Sequence, residues 1–125
     1  CAEDAKRAVQ SGANGLVLSN HGGRQLDHAV APIDILPEIV DCVGDSLEIV
    51  IDSGIRRGTD VIKAISLGAK ACMIGRPYIY GLSAAGQAGV QRALSLIRDE
   101  IIRDMQLLGC RSLGELNRDY VRFGK

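Results

Sequence analysis

Three short aliphatic runs constrain this chain more than anything else in it: Gly15-Leu16-Val17-Leu18, Glu48-Ile49-Val50-Ile51 and Ala71-Cys72-Met73-Ile74. Each is too short for a helix and is bounded by glycine or polar residues, which is the pattern of a buried strand. The first extends to Ser19. Stretches of helical spacing separate the runs. The cadence of helix, strand, helix, strand, helix, strand, helix predicts an α/β domain with a parallel sheet. That sheet is either covered on both faces or part of a barrel wall.

The helices can be placed by their apolar faces and stops. Ala2 to Ser11 carries Ala5, Ala8 and Val9 on one face, acids early, bases later, and Gly12 as its end. Ile33, Leu36, Ile39, Val40 and Val43 recur at helical spacing up to Gly44. Pro37 puts the start of that helix near Asp34, because only first-turn amides have no partner to lose. A third helix opens at Gly58 or Thr59, turns Val61, Ala64 and Ile65 inward, and ends at Gly68. A long fourth runs from about Ala84 to Leu108 through Val90, Leu94, Ile97, Ile101 and Met105. Its charged residues between 92 and 104 read as a solvated face. Ser112-Leu113-Gly114-Glu115 matches a capping box, so a short helix is expected there. The polar tail from Arg118 to Lys125 reads as frayed or docked on a neighbour.

Chemistry concentrates after the strands. The first is followed by Ser19-Asn20-His21-Gly22-Gly23-Arg24-Gln25-Leu26-Asp27. Histidine is the side chain suited to moving a proton near neutral pH, and arginine grips a carboxylate with two parallel hydrogen bonds. These nine residues alone fit a catalytic loop and a solvated polar loop equally well. The next two strands end in Asp52-Ser53-Gly54-Ile55-Arg56 and Gly75-Arg76-Pro77. Glycine admits an anion to the backbone amides, a helix N-terminus beyond it adds partial positive charge, and arginine adds forked donors. One Gly-Arg pair is more often a turn, but two on successive strands point to a phosphate-bearing ligand. In a (β/α)8 barrel such a site lies after strands 7 and 8, which would make the first strand here strand 6.

Composition narrows the remaining classes. Fifteen basic and fifteen acidic residues cancel, which argues against nucleic acid as a partner. Aromatic residues make up 3% and tryptophan is absent, so the core must be aliphatic. No apolar run is long enough to span a bilayer. The cysteines at 1, 42, 72 and 110 have no C-x-x-C spacing, so a zinc site is not expected. Unpaired cysteines fit a reducing compartment, so the expected location is cytoplasmic, with the inner face of a membrane as the other option.

The nine-residue stretch from Ser19 to Asp27 resembles the signature of the FMN-dependent α-hydroxy acid dehydrogenases and oxidases, which include lactate, mandelate and glycolate enzymes. The run Asp52 to Val61 is similar to that family's FMN-phosphate loop, and Gly75-Arg76-Pro77 to its partner. The resemblance implies FMN as cofactor and oxidation of an L-2-hydroxy acid to the 2-oxo acid. The electrons pass onward to a quinone, a cytochrome or oxygen. It implies that His21 is the base that takes a proton from substrate, from either the α-carbon or the hydroxyl. Arg24 would clamp the substrate carboxylate. Ser19 would lie beside the cofactor, and Asp52, Ser53, Gly54, Ile55, Arg56, Gly75 and Arg76 would hold the ribityl phosphate.

Many members carry glycine where Ser53 stands. Serine there is more like the bacterial lactate and mandelate dehydrogenases, and its hydroxyl could bond phosphate. His28 has no matched role and reads as solvated, and Arg57 reads as a surface or packing residue. Tyr78 and Tyr80 either line the flavin pocket or are buried in the closing helix, the second being preferred.

A (β/α)8 barrel needs about 250 residues, and three strands cannot close one. Residues 1–125 are therefore expected to be the C-terminal segment of one FMN-binding barrel domain, about strands 6 to 8. It would be a fragment, a cleavage product or a truncated form that needs the rest of the barrel as partner. Homo-oligomerisation, as a tetramer, is expected by analogy alone.

Overall fold

The structure is a computed structural model and describes residues 1–124. Three strands form one parallel sheet in the order β1 (Gly15–Leu18), β2 (Glu48–Ile51), β3 (Ala71–Cys72). Helices α1 (Ala2–Gln10), α2 (Pro32–Val43), α3 (Gly58–Ser66) and α4 (Arg76–Leu108) precede, separate and follow them. In register, Leu16 lies beside Ile49, Leu18 beside Ile51, Val17 beside Val50, and Val50 in turn beside Ala71.

That register divides the sheet into unlike faces. Leu16, Leu18, Ile49 and Ile51 point into the main core, where they meet Leu36, Ile39 and Val43 of α2 and Ala64 of α3. Leu36, Ile39 and Val43 are spaced by three and four, so they form one buried stripe. The opposite face is open: Val17 is 54% and Met73 41% exposed. The expectation of strands buried on both sides is thus met on one side among the described residues. A sheet with helices on one face and aliphatic side chains on the other is consistent with a section of barrel wall.

Several element bounds differ from the sequence reading. α2 begins at Pro32, not near Asp34, with Ala31 as its N-cap and Asp34 N donating to Ala31 O. Proline fits the first helical position because its amide would be orphaned anyway. Pro37 consequently sits inside the helix. β3 stops at Cys72, although Met73 N still donates to Ile51 O at 2.8 Å.

α4 starts at Arg76, well before Ala84, and is broken where Ala85 and Gly86 leave the helical region. On either side of the break, Gly81 and Gly89 touch backbone to backbone, and a methyl on either would collide with the other's carbonyl. Ser112 makes no cap bond. The Glu115 carboxylate instead accepts from Arg111 N, and only a single turn forms at Leu113–Glu115. The tail docks: Arg118 Nη2 reaches Asp41 Oδ1 at 2.5 Å on α2.

α3 and α4 are joined at both levels of packing. Ile62, Cys110 and Leu116 form a second buried cluster with Ile65, Ile101, Met105 and Tyr120. Above it, Glu100 of α4 accepts from Arg57 Nε at 2.8 Å and from Gly58 N at 2.8 Å. These bonds hold the Glu100 carboxyl below its ordinary range and raise Arg57. Arg57 is a surface residue, one of the two roles expected for it, whereas Glu100 departs from the solvated face assigned to its helix.

Candidate functional site

The C-terminal ends of the three strands open into one cleft of about 440 Å³. His21, Arg24, Asp52, Ser53, Gly54, Ile55, Arg56, Gly75 and Arg76 all line it. Residues 52 positions apart in sequence meet there because the parallel register brings all three strand ends to one side. Ser19 does not line the cleft; its hydroxyl sits under the first loop and accepts from His21 N at 3.0 Å. Ile55 is buried in the main core, so it anchors its loop more than it faces a ligand.

The first loop is built by short polar bonds. Asn20 Oδ1 accepts from Gly23 N at 3.2 Å, and its Nδ2 donates to Val30 O at 3.2 Å, closing the loop at both ends. His21 (φ +55°), Gly22 (φ +69°) and Gly23 (φ +69°) run consecutively through the left-handed region. Gly22 has a second reason to be glycine, since a Cβ there would lie 2.8 Å from Arg76 Nη2. Arg76 Nη2 donates to Gly22 O at 2.6 Å.

Charge in the cleft is one-sided. Arg24, Arg56, Arg76 and His21 line it against a single carboxylate, Asp52. Among the described residues, none of these three arginines pairs with a carboxylate. The two helix N-termini beside the cleft differ. At α3, Asp60 Oδ2 accepts from Arg56 N (3.0 Å) and Arg57 N (2.9 Å), and Glu100 takes Gly58 N, so its amides are already capped. α4 opens on the cleft at Gly75, with no side-chain cap. An anion is therefore best placed against α4 and the arginines.

Some features escaped the sequence reading. Asn20 was in the motif without a role. Met73, Pro77 and Ile79 supply an apolar wall, and Ala31 and Pro32 contribute from the start of α2. Met73 could have been found from strand alternation with Val17, had the open face been recognised. Tyr78 and Tyr80 neither line the cleft nor are buried; they are 39% and 67% exposed. His28 (φ +58°) is exposed, as expected. Cys72 flanks the site, and burial, with a smaller effect of Asp60, pushes its thiol up to about 11.

A parallel α/β sheet with an arginine-rich cleft across three adjacent strand ends, and a histidine beside it, has the charge to receive an anionic ligand. A family model described as FMN-dependent dehydrogenase matches residues 1–123, and the chain belongs to that family. The L-lactate oxidase of Nostoc sp. is 50% identical over 119 residues, covering 95% of this chain and 33% of that enzyme. The human 2-hydroxyacid oxidase 2 is 46% identical over 123 residues, covering 98% of this chain and 35% of that enzyme. A solved mandelate oxidase mutant with a monooxide FMN adduct superposes with a TM-score of 0.89 at 52% identity, over 94% of this chain and 38% of that one. The chain spans about a third of the length of these relatives.

FMN is the cofactor of this family. The cleft fits its phosphate: three guanidiniums line it that pair with no carboxylate among the described residues, and a Cβ added at Gly54 or Gly75 would meet only open space.

Proposed function

We propose that this chain supplies the proton-transfer, carboxylate-binding and phosphate-binding side of an enzyme that oxidises an L-2-hydroxy acid, lactate- or mandelate-like, to the 2-oxo acid. The single observation that carries this reading is the convergence of His21 and Arg24 on the same cleft as Arg56, Gly75 and Arg76. Arg24 holds the substrate carboxylate by its fork, which also fixes the orientation of the carbon to be oxidised. His21 takes a proton from the substrate. Arg56, Gly75 and Arg76 form the phosphate-binding side with the backbone of the Asp52 to Arg56 loop, which buried Ile55 anchors, and with the amide end of α4 behind them. Bound flavin supplies the redox chemistry by accepting two electrons, which leave to a quinone, a cytochrome or oxygen.

The chain is read as residues from about strands 6 to 8 of a (β/α)8 barrel, with the rest of the barrel as its partner. The open Val17 and Met73 face supports this, because aliphatic side chains of a parallel sheet are otherwise covered. Among the described residues the His21 imidazole has no hydrogen-bond partner, so the group that orients it belongs to that partner. A homo-oligomer, tetrameric by analogy, and a cytoplasmic or peripheral membrane location complete the proposal. Among the described residues no helix is long and apolar enough to cross a membrane.

The second reading is that the 125-residue chain alone is catalytically silent, a half-barrel that binds phosphate or FMN only with a partner chain. The same open face favours it. Anaerobic addition of lactate or mandelate to the FMN-loaded enzyme with its barrel complete is expected to bleach the flavin absorbance, whereas the second reading expects none from the 125-residue chain alone. His21→Gln is expected to abolish bleaching while FMN stays bound. Bleaching that survives this substitution sinks the role given to His21.

A further inference from the structure

Ser53 was expected to bond the cofactor phosphate, but its hydroxyl is committed elsewhere. It lies 2.7 Å from Asp52 Oδ1, which takes its only proton. It accepts from Gly22 N at 3.0 Å and from Asn20 N at 3.3 Å, and Ser19 Oγ lies 3.5 Å away. A hydroxyl with its donor and both lone pairs used has nothing left for a phosphate oxygen. The residue also stands at φ +64°, where glycine would be easier, so the hydroxyl is kept against backbone strain.

The amide it receives belongs to the residue after His21. Gly22 is held twice, its N–H by Ser53 Oγ and its carbonyl by Arg76 Nη2 at 2.6 Å. The grip comes from the loops after β2 and β3, so it ties the His21 turn to both. His21 itself is left-handed at φ +55°, a conformation that persists only where neighbours impose it.

We propose that Ser53 is a positioning residue: its hydroxyl, opposite the Arg76 guanidinium, clips Gly22 and so fixes the left-handed turn that aims the His21 imidazole. This rests on the reading of His21 as the base. In the FMN-loaded enzyme, Ser53→Gly and Ser53→Ala are compared. Both remove the hydroxyl, but glycine relieves the left-handed strain and alanine keeps it. Both are expected to lower kcat for flavin reduction by a similar factor, about 10- to 100-fold. KM and FMN affinity should each change by less than about 3-fold.

A Ser53→Gly enzyme with undiminished kcat overturns the proposal, since only the backbone would then matter at this position. So does loss of FMN affinity in both variants with normal reduction of the flavin that remains bound, which would make Ser53 a phosphate ligand. Failure of the base reading shows separately, as a His21→Gln enzyme that still reduces flavin, and it overturns this proposal with it.

Discussion

At the scale of single residues, the cleft separates arginines that are available to a ligand from one that is not. Arg57 has its guanidinium on Glu100, whereas Arg24 lines the cleft and pairs with no carboxylate among the described residues. Lysine at 24 would keep the charge and lose the fork. A charge-assisted hydrogen bond contributes about 1.5–3 kcal/mol, so Arg24→Lys should raise KM for the 2-hydroxy acid about 10- to 100-fold. FMN affinity should be unaffected; steady-state kinetics with an FMN titration checks both, and an unchanged KM counts against the clamp. Cys72 offers a pH-dependent test. Its folded thiol ionises only near 11, above its ordinary value of 9.0. The unfolded chain therefore loses that proton first as pH rises. The stabilisation is fully present below pH 9 and disappears between about 9 and 11. Melting temperature measured across that window should fall less steeply in Cys72→Ala than in the parent chain.

At the scale of elements, the helices legible in the sequence were those whose apolar stripe alone specifies them. α1, α2 and α3 carry such stripes; the faces of α1 and α2 were assigned correctly even where α2 began two residues early, whereas on α3 buried Ile62 was missed and Val61 and Ile65 are only half-buried. The second part of α4 half-buries Val90, Ile97, Ile101 and Met105 at helical spacing, whereas Tyr78, Ile79 and Tyr80 of its first part are consecutive and exposed, with no stripe to announce a helix. Its path depends on a contact between two glycines far from any motif. Gly81 and Gly89 meet so closely that neither tolerates a Cβ without moving the other's backbone. Gly89→Ala should therefore destabilise by about 1–3 kcal/mol, the range of overpacking, and lower the melting temperature in a thermal scan. Glu100 was equally illegible, because its partners Arg57 and Gly58 lie more than forty positions away. The site was far more readable than these contacts. Glycine, histidine and arginine at strand ends are required by local chemistry, whereas Asn20 and Ser53 act through bonds that only the folded loops create. Glu100→Gln should flatten the acid side of the stability profile. The ionised carboxylate stabilises the fold above its ordinary range, and that contribution vanishes as pH falls through its lowered folded value.

At the scale of the whole molecule, the unresolved balance lies in the sheet. β1 and β3 are both edge strands, and one face of the sheet carries Val17, half-buried Val50 and Ala71, with Met73 just beyond β3, on its uncovered side. Unpaired parallel edges and an apolar face favour association with another chain, and the bond-forming groups of β1 and β3 are oriented to extend the sheet in either direction. The cleft lies at the C-terminal ends of these same strands, so a chain that paired with either edge would also stand beside it. The 125-residue chain by itself should thus self-associate, bind an apolar-surface dye, and fail to bleach FMN with lactate. Size-exclusion chromatography with dye fluorescence and anaerobic flavin absorbance tests all three. A monomeric chain that holds FMN and reduces it with substrate would mean that the open face needs no partner. The half-site formed by His21, Arg24 and the two Gly-Arg loops would then be sufficient for the chemistry.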